Sequence, residues 1–234
     1  MNQDVLNVLP DPQNLPDTFA LERALLAQGF ARVAGVDEAG RGPLAGPVVA
    51  GCVVLAPSQD TTIFFDSKTL TARRRELLFA ELMASPACVG IGIADAREIE
   101  SLNILQASLL AMRRAVDDCQ ANGTVQPPDF LLVDGKFKVP LPLTQLPLVK
   151  GESKSSSIAA ASIVAKVTRD RLMQKAHELY PVYGFNRHQG YPTKAHREAL
   201  QLHGPCELHR RTFRGVAELV EKEPVSPPDQ KGLW

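Results

Sequence analysis

The 234-residue sequence predicts an α/β fold: a mixed five-stranded sheet flanked by helices, with a helical C-terminal extension. Two patterns lead there. Five short apolar runs bounded by Gly, Pro or Asp have the length of buried strands. Several longer segments carry helical periodicity, and most of them follow the strands, so one sandwich around one sheet is expected. The length suits one large domain with a real core.

In chain order, residues 1–19 are rich in Pro, Asn, Asp and Gln and are expected to be a flexible arm. Strands are expected at 31–36, where Val33, Ala34 and Val36 supply an apolar run, at 48–55, at 88–94, at 130–133 and at 146–149. Helices are expected at 71–84, 102–121, 157–179 and 194–202, with a last one starting near Gly215. The Pro140-Leu141-Pro142-Leu143 run is a short rigid connector, too brief to separate domains. The main domain is therefore assigned to 20–222, and 223–234, with Pro224, Pro227 and Pro228, to a flexible tail.

A hydrophobic content of 44% with 22% charged residues is ordinary for a globular protein. No apolar stretch approaches the roughly 18 residues that would span a bilayer. The N-terminus lacks a basic start and is interrupted by Asp4, Asp11 and Asp17, so no signal peptide and no membrane partner are expected. Cys52, Cys88, Cys119 and Cys206 are widely spaced without a Cys-x-x-Cys pair, and read as reduced thiols of a cytoplasmic protein. Net charge is zero, yet residues 150–214 hold twelve Lys/Arg against five Asp/Glu, together with all five histidines. A basic segment beside an acid-bearing one suits a protein that grips a polyanion and holds metal ions; charges spread over solvated helices are the bland alternative.

The chemistry concentrates in four places. Gly35-Val36-Asp37-Glu38-Ala39-Gly40-Arg41-Gly42 sets two adjacent carboxylates where an apolar run ends and follows them with a Gly-Arg-Gly loop. Hard divalent cations suit such carboxylates, and an arginine fork between glycines suits phosphate. Asp134, at the end of Phe130-Leu131-Leu132-Val133, is a third acid at a strand end. Acids converging from separate strand ends would repel one another unless cations held them ionised. Adjacent strand residues face opposite ways, so Asp37 and Glu38 cannot reach one ion with identical geometry. The fourth place is Lys150-Gly151-Glu152-Ser153-Lys154 before the Ala-rich helix, whose N-terminus is both a site for serine caps and a ready anion site.

In this order, Gly35-Val36-Asp37-Glu38-Ala39-Gly40-Arg41-Gly42-Pro43, Asp66-Ser67-Lys68, Leu102-Asn103-Ile104-Leu105, Val133-Asp134-Gly135, the helix at 159–171, Tyr183-Gly184-Phe185, Gly190-Tyr191-Pro192-Thr193 and His209-Arg210-Arg211 resemble the bacterial ribonuclease HII family. The resemblance implies an RNase H-like fold and a metal-dependent endonuclease. Its substrate would be the RNA strand of RNA–DNA hybrids, including single ribonucleotides in duplex DNA. It implies Mg²⁺ or Mn²⁺ held by Asp37, Glu38 and Asp134. Gly40, Arg41 and Gly42 would contact the ribonucleotide and its 2′-hydroxyl, Lys68 would touch phosphate, and Tyr191 would stack on the sugar at the RNA-to-DNA junction. The family usually has Asp where this chain has Glu152, which is expected to serve the second metal, with Asp170 as a competing acid read as a structural ion-pair former. His188 is read as solvated or phosphate-facing, and His209-Arg210-Arg211 as a phosphate contact or a packed surface cluster. Gln230-Lys231-Gly232-Leu233-Trp234 resembles a sliding-clamp peptide. The protein is expected to act as a monomer. The rival readings are a non-catalytic hybrid-binding module and a different two-metal phosphotransferase.

Overall fold

The computed structural model describes residues 8–56, 59–64, 70–121 and 127–220. The named elements are α1 (Ala20–Ala27), β1 (Val33–Ala39), β2 (Val48–Val54), α2 (Ala72–Ala84), β3 (Cys88–Ala94), α3 (Ala96–Leu102), α4 (Ile104–Ala121), β4 (Phe130–Asp134), β5 (Thr144–Leu148), α5 (Ser156–Leu179), α6 (Phe185–His188) and α7 (Lys194–His203). Five strands form one sheet in the order β3-β2-β1-β4-β5. β1 runs antiparallel to β2 and parallel to β4, and β4 runs parallel to β5, so the expected mixed sheet is present. Pro147 lies on β5, an edge strand, where a missing N–H costs no ladder bond.

Contacts divide the chain into two compact units. The first comprises the described residues of Met1–Ala39, Val49–Ile93 and Leu109–Val167. Its core joins Leu78, Phe79 and Leu82 of α2 to Val53 and the small-residue face of α5, Ala159, Ala160, Ala161, Val164 and Val167. A neighbouring cluster joins Leu21 and Leu25 of α1 to Val33, Phe130, Leu132, Leu148 and Ile158. Close approach needs glycine: a methyl on Gly35 would stand 2.0 Å from the Ser157 carbonyl carbon, and one on Gly51 2.4 Å from the Ala161 oxygen. The alanines of α5 and these glycines together let helix backbone lie against sheet backbone.

The second unit comprises the described residues of Gly40–Val48, Ala94–Ser108 and Thr168–Trp234. Leu44, Ala45, Met173, Ala176, Tyr180, Tyr183, Phe185, Leu200, Cys206, Leu208, Val216 and Leu219 form its apolar core.

Several boundaries differ from expectation for physical reasons. β1 runs on to Ala39 because β2 continues to pair with it, Asp37 opposite Gly51 and Glu38 opposite Ala50; the two acids sit inside the strand, not past its end. The helix expected over 102–121 begins at Ile104, since Asn103 takes φ 70° and its Oδ1 caps the N–H groups of Leu105 and Gln106. α1 and α3 were not foreseen, α3 being opened by an Asp95–Glu98 capping box. Near Gly215 the described residues hold only a 3₁₀ turn, Ala217–Leu219. Of the expected arm at 1–19, residues 8–19 are described, and Leu9, Leu15 and Phe19 pack against buried clusters. The tail 223–234 and Lys68 lie outside the described residues. All four cysteines are free, and among the described residues no helix is long and apolar enough to cross a membrane.

Candidate active site

The parallel register of β1 on β4 pairs Val36 with Val133, so the next step along each strand is Asp37 on one and Asp134 on the other. Paired positions of neighbouring strands face the same side, which gives these two carboxylates a common face. Asp134 ends β4, and its Oδ1 accepts a 2.6 Å hydrogen bond from the Gly151 N–H. That bond ties it to the 3₁₀ turn Gly151–Ser153, which carries Glu152. Lys150, at φ 57°, turns the chain into this position, and a methyl on Gly151 would lie 2.6 Å from Ile158 Cδ1. Four acids of the first unit are thereby gathered from β1, β4 and the turn after β5.

Their electrostatics are one-sided. Asp37 and Glu152 are buried, 5% and 6% exposed, while Glu38 and Asp134 are half-buried. Burial pushes the Asp37 carboxyl well above the usual range, and repulsion from Glu38, Asp134 and Glu152, in that order, pushes it further. The hydrogen bond from the Glu38 N–H to Asp37 Oδ1, 2.7 Å, opposes this shift only weakly. Among the described residues no group of three or more His, Cys, Asp or Glu side chains is placed so as to hold a metal ion. The chemistry of the set, carboxylates alone, suits a hard divalent cation rather than a soft one.

The second unit holds the Gly-Arg-Gly loop. Arg169 donates through Nε to Pro47 O (2.9 Å) and through Nη2 to Ala45 O (3.1 Å). Arg210 donates through Nε to Gly46 O (3.0 Å), through Nη1 to Arg41 O (2.8 Å), and through Nη2 to the carbonyls of Gly40 and Gly46. Both guanidinium groups are fully buried, and burial lowers their pKa to about 10 and about 9, which leaves them charged at neutral pH. Gly40, at φ 98°, leaves no room for a side chain, since a methyl there would meet Arg169 Nε at 2.1 Å. With the Gly40 and Arg41 carbonyls drawn inward by Arg210, and those of Ala45 and Pro47 by Arg169, the loop keeps Arg41 and Gly42 exposed. A methyl on Gly42 would come 3.7 Å from Tyr191 Cε1, so the loop and the 43%-exposed Tyr191 ring are neighbours. The Arg169 guanidinium carbon lies 6.0 Å from that ring's centre.

Burial overturns the reading of His188 as solvated or phosphate-facing, since it is 9% exposed. Of the two readings of His209-Arg210-Arg211, His209 and Arg210, 0% exposed, are packed and do not face phosphate, while Arg211 is exposed. The anion at the start of α5 is the protein's own: Glu22 Oε1 accepts from Ser155 Oγ (2.6 Å) and from the Ser157 N–H (3.0 Å). Glu22, Arg169 and His196 were not recognised as structural keys from sequence. The only advance sign was polar residues placed among apolar ones, Glu22 between Leu21 and Leu25 and Arg169 inside the Ala-rich helix.

The Ribonuclease HII family profile matches residues 34–216, spanning both the acids and the Gly-Arg-Gly loop. The chain belongs to the ribonuclease HII family. It is 54% identical over 216 residues to the ribonuclease HII of Desulfotalea psychrophila, covering 92% of this chain and 95% of that one. To the ribonuclease HII of Syntrophotalea carbinolica it is 52% identical, covering 92% and 100%. Among solved structures, ribonuclease H2 from Pyrococcus horikoshii OT3 superimposes with a TM-score of 0.66 at 27% identity, over 81% of this chain and 97% of that one. The RNase HII that was solved in complex with PCNA from Archaeoglobus fulgidus shares the fold, with a TM-score of 0.64 at 23% identity over 78% of this chain and 95% of that one. So does Bst-RNase HIII, solved with Mn²⁺, with a TM-score of 0.64 at 18% identity over 84% and 72%. Membership makes this chain a nuclease of the ribonuclease H class, a hydrolase acting on RNA–DNA hybrids, and brings with it dependence on a divalent metal.

Proposed function

We propose that the chain cuts the RNA strand of RNA–DNA hybrids and also nicks on the 5′ side of single ribonucleotides embedded in duplex DNA, leaving 3′-hydroxyl and 5′-phosphate ends by two-metal-ion hydrolysis. The observation that supports this reading is the gathering of Glu38, Asp134 and Glu152 around the buried Asp37, whose carboxyl is pushed up by burial and by their repulsion; bound cations would hold such a set ionised. Asp37, Glu38 and Asp134 are the metal-holding set, and Glu152 serves the second ion. Its extra methylene, relative to the family's usual Asp, makes the choice between Mg²⁺ and Mn²⁺ sensitive to this position. When bound, the ions supply Lewis acidity toward the scissile phosphate.

The chain's own work is positioning. Gly40, Arg41 and Gly42 offer backbone close to the ribose, where a 2′-hydroxyl can be told from hydrogen. Arg41 and Lys68 meet phosphate, and Tyr191 stacks on the sugar at the junction. The enzyme acts as a monomer in the cytoplasm, and the tail at 230–234 docks on a sliding clamp, for which the Archaeoglobus complex with PCNA is the precedent. Clamp capture that persists after deletion of residues 230–234, or fails with the intact chain, removes the last point.

The deciding experiment offers a DNA duplex with one ribonucleotide beside an all-DNA duplex, with Mg²⁺ or Mn²⁺. A nick 5′ of the ribonucleotide, lost in Asp134→Asn, supports the proposal. Cutting of both duplexes, or of neither, refutes it. If Glu152→Gln leaves metal-dependent turnover unchanged, the role of Glu152 is wrong.

A further inference from the structure

The Gly190-Tyr191 dipeptide is held by imidazoles at its first N–H and its last carbonyl. His188 Nδ1 accepts from the Gly190 N–H at 3.2 Å, so its proton sits on Nε2, which donates to the Tyr183 carbonyl at 2.8 Å. His196 Nδ1 lies 2.9 Å from the Tyr191 carbonyl. A carbonyl only accepts, so His196 carries its proton on Nδ1 and presents a lone pair at Nε2. That lone pair faces His209 Nε2 at 3.0 Å. His209 must therefore bear its proton on Nε2, and its Nδ1 does accept, from the Cys206 N–H at 3.0 Å. The bonds form one directed chain, from the Cys206 N–H through His209 and His196 to the Tyr191 carbonyl. Each ring's tautomer follows from its neighbours.

The surroundings keep this chain rigid. His196 and His209 are 0% exposed, and His188 stacks on His196 with ring centres 4.5 Å apart and planes 16° apart. Phe185 and Tyr183 close over His209, with ring centres at 5.6 and 4.7 Å. Gly190 is fixed from the opposite side, because its carbonyl accepts from the Leu44 N–H at 2.8 Å and a methyl on it would meet the Ala45 oxygen at 2.5 Å. Only the Tyr191 side chain emerges, 43% exposed, from a backbone fixed on every side.

We propose that His196, fixed in its Nδ1–H form by His209 and stacked on His188, is a positioning residue that presents the Tyr191 ring to the nucleic acid. The proposal rests on the reading of Tyr191 as the residue that stacks on the sugar. It makes the histidines neither metal ligands nor proton carriers: they hold the aromatic platform in place before substrate arrives, and the cost of ordering it is met in folding.

The test uses isosteres. The amide nitrogen of Asn falls near Nδ1 of histidine and that of Gln near Nε2. In steady-state cleavage of the single-ribonucleotide duplex, His196→Asn should keep KM within about twofold of wild type. His196→Gln, which loses the bond to the Tyr191 carbonyl, should raise KM about tenfold with kcat within about twofold. In a Tyr191→Ala background His196→Gln should add nothing further to KM. Long-range ¹H–¹⁵N imidazole spectra of the intact wild-type protein at neutral pH should show His196 as Nδ1–H and His209 as Nε2–H, whether or not the variants fold. The opposite tautomers overturn the proposal. So do equal effects of Asn and Gln when Tyr191→Ala itself raises KM. A wild-type KM in Tyr191→Ala sinks the stacking role of Tyr191, and the proposal with it, even with the tautomers in place.

Discussion

Glu22 Oε1 receives a 2.6 Å hydrogen bond from the Ser155 hydroxyl, joining α1 to the residue that precedes α5 through a carboxylate that is 1% exposed. The same oxygen meets the Ser157 N–H, while Oε2 finds no donor among the described residues. Burial outweighs these bonds and raises the Glu22 pKa above its usual value. The folded state therefore holds the proton more tightly than the unfolded one, and the resulting stability is lost as pH rises through the shifted pKa. Glu22→Gln keeps an acceptor without the charge, so its stability relative to wild type should grow from pH 4 to pH 8 in urea titrations. Glu22→Ala strands two donors and should cost ~2–3 kcal/mol. A gap between Gln and wild type that does not change with pH would contradict the raised pKa.

Asp37 is pressed by three acids, so removing its charge should stabilise the metal-free protein while abolishing cleavage. In chelator at pH 8, Asp37→Asn should melt a few degrees above wild type. Adding Mn²⁺ should raise the wild-type melting temperature and move the variant little. A variant that melts below wild type in chelator would show that Asp37 is structurally satisfied as it stands.

Burial holds the His196 and His209 pKa values down, to about 4 and about 3. An unfolded histidine takes up its proton near pH 6.5, so between that pH and about 4 the unfolded chain binds more protons than the folded one. Stability should decline as pH falls through this window and be indifferent to these groups above about pH 7.5. Urea midpoints against pH should show that slope in wild type and a shallower one in His196→Asn.

Arg210 spreads its N–H groups over three backbone carbonyls of the 40–46 segment at 3.0 Å or less. Lysine keeps the charge but not the planar fork, so Arg210→Lys should cost ~2–3 kcal/mol in thermal or urea unfolding. Because the loop it holds carries Arg41 and Gly42, KM for the hybrid should rise more than kcat falls. An Arg210→Lys protein with wild-type stability and KM would mean that the loop holds its own shape.

The strands and the long helices were legible because each rests on local periodicity: β3 lies where its apolar run does, and α5 differs from expectation by one residue at its start. The acids on β1 and β4 were legible from their place after apolar runs, and the family resemblance, carried by contiguous blocks, pointed to the same residues. Less legible was whatever depends on distant segments meeting. The extension of β1 through Asp37 and Glu38 is dictated by β2, which offers Gly51 and Ala50 opposite them. The buried roles of the charged and polar side chains at Glu22, Arg169, His196, His209 and Arg210 were not legible, because the sequence does not say which distant groups they meet. Arg210 and Gly40 are 170 positions apart.

That separation has a consequence for biosynthesis. During translation the strand bearing Asp37 emerges before the guanidinium that gathers in the carbonyls of Gly40, Arg41 and Gly46. A nascent or prematurely terminated chain can thus expose acids without a finished grip for nucleic acid, and competence at the ribosome waits for residue 210.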